Sequence, residues 1–190
     1  MQYNYFEILK SYLEERYEIS CCKQELYNTN VDSILGIGVN DNVKYIYENY
    51  KMFDLVWFKD GKYYGEVNFV PYVNLEKEHA DLVAIMEDMY DKEIDDLKIY
   101  QSIINWYPLF YFANGDAFCV DKRDGYIRFY DHEVFDYMED VGIFGIKIAN
   151  SINDLFEKWE IIHFADVYYW DKICNDDGID VDSEFVKEYI

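Results

Sequence analysis

Apolar positions in the first part of the chain recur at three- and four-residue steps. Phe6, Leu9, Leu13 and Tyr17 form one stripe among Glu7, Lys10, Glu14 and Glu15, which predicts an amphipathic helix over residues 3–17. A second helix is expected over 22–35, ending at Gly36-Ile37-Gly38. Asn40 or Asp41 then caps a helix whose Val43, Ile46, Tyr47 and Tyr50 share a face. After Met52 the period changes. Leu55–Phe58 and Tyr63–Val70 flank Asp60-Gly61, a hairpin signal because both central residues of a type I′ turn need positive φ. Pro71 cannot donate to a sheet ladder, so that strand ends there or lies at an edge.

Helical spacing returns over 75–97, where Leu82, Met86, Met89 and Tyr90 face one way and acids dominate the rest. Strands are expected at Ile99–Ile104, Tyr107–Phe112, Asp116–Val120 and Tyr126–Tyr130. Asn114-Gly115 and Asp124-Gly125 mark an antiparallel meander among them. Ser151 opens a capping-box-like start, with Ile152, Leu155, Phe156 and Trp159 as the buried stripe behind it. Residues 161–170 are apolar and fit either period. Ser183 caps a short final helix through Phe185, Val186 and Tyr189. No internal repeat or linker interrupts this order, which predicts one α+β domain. Its sheet is mixed, mainly antiparallel, of about six strands flanked by helices.

Length and composition agree with one domain. A chain of 190 residues removes roughly 70% of its unfolded surface from water, enough for one core without disulfides or metals. Hydrophobic residues make up 51% and aromatics 20%, which excludes a wholly disordered chain. Cys21, Cys22, Cys119 and Cys174 give neither a Cys-x-x-Cys pair nor a disulfide framework. Met1–Glu7 lacks the basic and apolar regions of a signal peptide. The uncharged run Gln101–Gly115 is too short to span a bilayer and is interrupted by Asn105 and Pro108. A cytoplasmic protein without membrane attachment is therefore expected.

Charge changes the picture most. There are 39 acids against 17 Lys and Arg, a net charge of −22. Such a field repels phosphate and argues against direct nucleic-acid binding. It attracts a cationic partner and speeds encounter, by roughly 10- to 1,000-fold at low salt. The competing explanation is solubility alone.

Candidate chemistry is sparse. His79, His132 and His163 lack the spacing of a zinc site. Cys119 and His132 could face each other across a hairpin as nucleophile and base, but an apolar setting raises a thiol pKa, so a buried structural Cys119 is expected. Gly36-x-Gly38 has neither a third glycine nor a preceding strand, so it does not cradle phosphate. Taking Gly178 as the turn glycine of a calcium loop sets Asn175, Asp177 and Glu184 at the third, fifth and twelfth positions. Ile173 then falls at the first, where an oxygen is needed, so a solvated acidic tail is expected. Asp131-His132-Glu133, with Asp121, could act as a metal-assisted hydrolase centre. That requires a cleft joining all four, whereas successive residues on regular backbone do not face one point, so a hydrogen-bonded strand-end turn is expected.

One ordered set of residues carries a resemblance. Trp106, Pro108-Leu109, Asn114-Gly115-Asp116, Phe118 and Asp121 are followed by Gly125, Ile127, Tyr130, Asp131, His132 and Glu133. This order resembles the central signature of the SUKH superfamily. Ile148–Ile152 with Leu155-Phe156 resembles its closing helix, Ile34–Tyr50 its entry helices, and Val67–Leu75 its strand leading to a Pro-Leu-type segment. The chain departs from the pattern at Gly38-Val39, where a Leu-Pro pair usually stands, and at Met52-Phe53-Asp54, where an Asn-Gly-rich turn does. The resemblance implies a SUKH-like domain over 31–160, an N-terminal helical extension over 1–30, and an acidic extension over 161–190 packed on it or trailing. It also implies a role without catalysis or cofactor: an immunity protein that neutralises a protein toxin, often a nuclease, or a general intracellular interaction module. A nuclease is basic, which agrees with the charge. For the partner surface the acidic helix offers Glu87, Asp88, Asp91, Asp95 and Asp96, and the sheet ends offer Asp116, Asp121 and Tyr130.

Overall fold

The computed structural model describes residues 4–26, 41–89, 98–133, 145–164 and 169–189. It is an α+β domain built on a seven-stranded meander, one strand more than expected, in which every neighbouring pair is antiparallel. Helix α1 (Tyr5–Glu14) is followed by β1 (Glu18–Leu26), α2 (Asp41–Asn49), β2 (Tyr50–Lys59) and β3 (Lys62–Phe69). A 3₁₀ turn at Tyr72–Asn74 leads into α3 (Leu75–Met89) and α4 (Lys98–Ile103). Then come β4 (Trp106–Phe112), β5 (Ala117–Asp121), β6 (Ile127–Tyr130), β7 (Lys147–Ala149) and α5 (Ile152–Ile161). The chain closes with α6 (Trp170–Ile173), a small hairpin of β8 (Cys174–Asn175) and β9 (Gly178–Ile179), and α7 (Glu184–Tyr189). No helix among the described residues is long and apolar enough to cross a membrane.

Both faces of the sheet are covered at β5, which is buried at all five positions and apolar at every one but Asp121. Phe118 and Val120 point into the main core with α1, α2 and α5, while Ala117 and Cys119 face a smaller cluster with Leu82, Met86 and Ile103 from α3 and α4. The Asp60-Gly61 hairpin forms as the turn chemistry requires, with φ of 53° and 70°. Ser151 caps α5 by accepting the Asp154 N–H at 3.1 Å, and Ser183 caps α7 by accepting that of Val186 at 3.2 Å.

Two expected elements are corrected. Cys22–Leu26 belongs to the edge strand β1, paired with β2, and not to a helix; residues 27–40, with Gly36 and Gly38, lie outside the described residues. Ile99–Ile103 is helix α4 rather than strand, which lets Ile103 join the Leu82–Met86 stripe.

The acidic tail packs on the domain. Its carboxylates Asp176, Asp177 and Asp182 are exposed, while Trp170, Ile173, Ile179 and Val186 enter the main core. Ile173 at the would-be first calcium position is one of these core residues, and Asn175 Oδ1 accepts the Asp177 N–H at 2.7 Å. Gly178 holds the tail against β7. Its φ is +93°, and a Cβ there would lie 2.3 Å from the Ile148 carbonyl oxygen. Gly178→Val is therefore expected to release residues 170–189 while the meander persists. Hydrogen exchange checks this: protection falls in the tail and holds in β4–β6, and an unchanged tail refutes the latch.

Candidate functional site

The sequence-selected polar residues gather at two opposite ends of β5. At its start, the turn after β4 brings Asn114 and Asp116 against the segment that follows β6. Asp116 is buried, and its Oδ1 accepts both the His132 backbone N–H at 3.0 Å and His132 Nδ1–H at 2.7 Å. Its Oδ2 accepts the Asn114 side-chain amide at 2.6 Å. Asp131 Oδ1 accepts the Glu133 N–H at 2.9 Å, an Asx turn that closes the strand end. Burial raises the Asp131 pKa, and the neighbouring Asp116 adds to the rise. Asp116, Asp131 and His132 each place one ligand-type atom within 4.8 Å of the others. The hydrogen bonds of Asp116 tie two turns together and leave Glu133 exposed at the rim.

At the far end of β5, Asp121 is 0% exposed and accepts a fan of donors. Trp106 Nε1–H reaches Oδ2 at 3.0 Å, Arg128 Nε–H reaches Oδ2 at 2.9 Å, and Arg123 donates its backbone N–H and Nε–H to Oδ1, each at 2.9 Å. Burial acts to raise the Asp121 pKa. The bonds from Arg123 and Trp106 outweigh it and hold the carboxyl below its ordinary range. Asp121 is thus separated by the length of β5 from Asp131, His132 and Glu133, and the four do not line one cleft.

The remaining candidates are dispersed. Cys119 is buried in the smaller cluster, where burial pushes its thiol pKa up, and His132 is bound to Asp116 instead. His79 Nδ1–H donates to the Trp106 carbonyl at 2.8 Å, its ring stacks on Tyr107, and burial lowers its pKa. Tyr130 is 3% exposed. Asp116, Asp121 and Tyr130 therefore brace the meander from inside and offer no surface to a partner. On α3, Glu87 and Asp88 are exposed, and Glu87 Oε1 accepts the Tyr100 hydroxyl at 3.1 Å. Asp91, Asp95 and Asp96 lie outside the described residues.

The pattern along the chain did not single out His163. Its Nδ1 shares a hydrogen bond with the Tyr12 hydroxyl, joining the end of α5 to α1. The one available signal was indirect: the chain has no glycine where α5 must stop.

The chain matches no family model, no curated protein and no solved structure.

Proposed function

We propose that the chain is an intracellular immunity protein that binds and blocks a basic, nuclease-type protein toxin. The observation that carries this reading is the net charge of −22, too large a field for a partner rich in phosphate and well matched to one rich in Lys and Arg. A nuclease surface that holds phosphate is cationic, and a folded polyanion competes for it. Attraction of this kind sets the association rate, while aromatic and apolar contacts set the lifetime of the complex. Exposed Tyr63, Tyr64 and Tyr169 provide such contacts at low entropic cost. The resemblance of the order Trp106 to Glu133 to the SUKH signature points to the same role.

The direct test is binding to any basic toxin domain encoded beside the gene. Association is expected to slow steeply as salt rises, and absence of binding at every salt concentration sinks the reading. Within such a complex, Glu87→Lys with Asp88→Lys is expected to slow association about two- to tenfold at low salt and leave dissociation nearly unchanged, as rim charges do. Stopped-flow rates at several salt concentrations check it, and a changed dissociation rate would move those two residues into the contact itself.

A further inference from the structure

Helix α1 presents two faces. Tyr5, Phe6, Leu9 and Leu13 are buried in the core, while Asn4, Glu7, Ile8, Ser11, Tyr12 and Glu15 follow the helical repeat on the opposite side. That outer face and the end of α5 enclose an open groove of about 720 Å³. Ile8 and the Tyr12 ring line it, with Arg16, which also lines the groove, over the ring, and Ile161 stands beside them 53% exposed. Glu7, Glu15 and Glu160 rim it. Glu15 is paired with Arg16 at 3.2 Å, and Arg16 lies over the Tyr12 ring at 3.8 Å. Neither Glu7 nor Glu160 has an ion-pair partner among the described residues.

The backbone that closes α5 borders this groove. Helix α5 ends in a Schellman turn: the Phe164 N–H donates to the Trp159 carbonyl at 2.8 Å, and the His163 N–H to that of Glu160 at 3.0 Å. The position that usually takes glycine holds His163 at φ 61°, and Phe164 follows at φ 51°. Left-handed backbone is rare for bulky residues and persists where the surroundings enforce it, a pattern that clusters at functional sites. The enforcing contacts in this turn are the Tyr12–His163 bond and Phe164 packed against Tyr12 at 5.0 Å. The turn thereby fixes His163 at the groove, directly after Glu160 and Ile161 in the last turn of α5.

We infer that the groove between α1 and the end of α5 receives a basic, apolar-flanked segment of a protein partner. A Lys or Arg stem lies along Ile8 and Ile161, beside the Tyr12 ring that Arg16 covers, and its cationic head is drawn to the Glu7 and Glu160 carboxylates. A second copy of this chain is disfavoured as occupant, because both surfaces would carry the same negative field. The inference deepens the immunity reading and rests on it for the partner's identity. It gives the short-range contact, as distinct from the long-range attraction to which α3 contributes.

The test uses the full chain and a fluorescein-labelled peptide of alternating arginine and leucine, followed by anisotropy at low and moderate salt. Glu7→Lys with Glu160→Lys is expected to weaken binding about tenfold at moderate salt, because it places two cations directly beside the peptide's cationic head, while Glu87→Lys with Asp88→Lys changes it less than about threefold. Ile161→Asp separates site from field. It adds a negative charge, so a purely electrostatic attraction strengthens, whereas the groove predicts weaker binding. Circular dichroism of each variant confirms the fold, and Ile161 is already exposed. Affinities that follow net charge alone, or no binding by the unmodified chain, overturn the groove. If the peptide results hold while no neighbouring toxin binds, the groove stands and the immunity reading falls.

Discussion

Asp121→Asn is expected to destabilise the protein by about 3 kcal/mol, the lower end of what breaking a buried charge pair does. For a chain of this length that is roughly 6–12 °C in melting temperature. The lower end applies because the Arg123 and Arg128 side chains are 46% and 20% exposed and recover water when the carboxylate is lost. The loss remains large because every group around Asp121 is a donor. An amide supplies one acceptor oxygen and turns its own N–H groups toward Trp106 and the guanidiniums. The pH dependence has a definite sign. The carboxyl is held below its ordinary range in the folded state, so its contribution is present above the unfolded value of about 4 and is lost as pH falls through the lower folded value. Urea midpoints across that window are expected to fall more steeply for the unmodified chain than for Asp121→Asn. Equal slopes, together with a difference under about 1 kcal/mol, would show that the carboxylate is not what holds this end of β5 together.

That network was half legible. The residues Trp106, Asp121 and Gly125 stand in the sequence at turn and strand-end positions, and the hairpin they frame follows from turn chemistry. What the sequence cannot display is that Trp106 and Arg128 converge on one carboxylate, because that depends on the register of β4, β5 and β6. The strand Glu18–Leu26 is hidden for a related reason. Glu18, Lys23, Gln24 and Glu25 are polar residues typical of helices, yet charges are also what an edge strand carries to resist pairing with other chains. Helix α4 departs in the opposite direction. Ile99, Tyr100, Ile103 and Ile104 favour strands locally, and packing of Ile103 onto Leu82 and Met86 overrides that preference. The groove was the least visible feature. Its floor lies on the polar side of a helix the periodicity does reveal, and its far wall depends on a turn that takes histidine where glycine is the usual signal. Net charge bears on which partners the chain attracts, but an excess spread over the whole chain does not point to a face.

Trp159→Ala is expected to cost about 3–5 kcal/mol, roughly a fifth or more of the stability typical of a domain. The Trp159 indole is fully buried on α5 and meets rings from three directions: Phe110 and Phe112 of β4, Phe118 of β5, and Phe164 beyond the helix. The nearest centroids, those of Phe118 and Phe164, lie 5.2 and 5.3 Å away in edge-to-face geometry. Alanine would leave a cavity bounded by large rigid rings on strands that are themselves covered on both faces, so little collapse is available to offset the loss. Trp159→Phe retains an aromatic plug and is expected to lose less than half as much. The two variants differ in a second way. Phe164 is held between Trp159 and Tyr12, so the cavity also frees the left-handed turn that positions His163 at the groove. Urea unfolding ranks the stabilities, and basic-peptide binding below the transition reads the groove. Trp159→Ala should lose affinity even where folded, while Trp159→Phe should keep most of it. Equal affinity in the two variants, at unequal stability, would show that the turn holds its shape without the ring behind it.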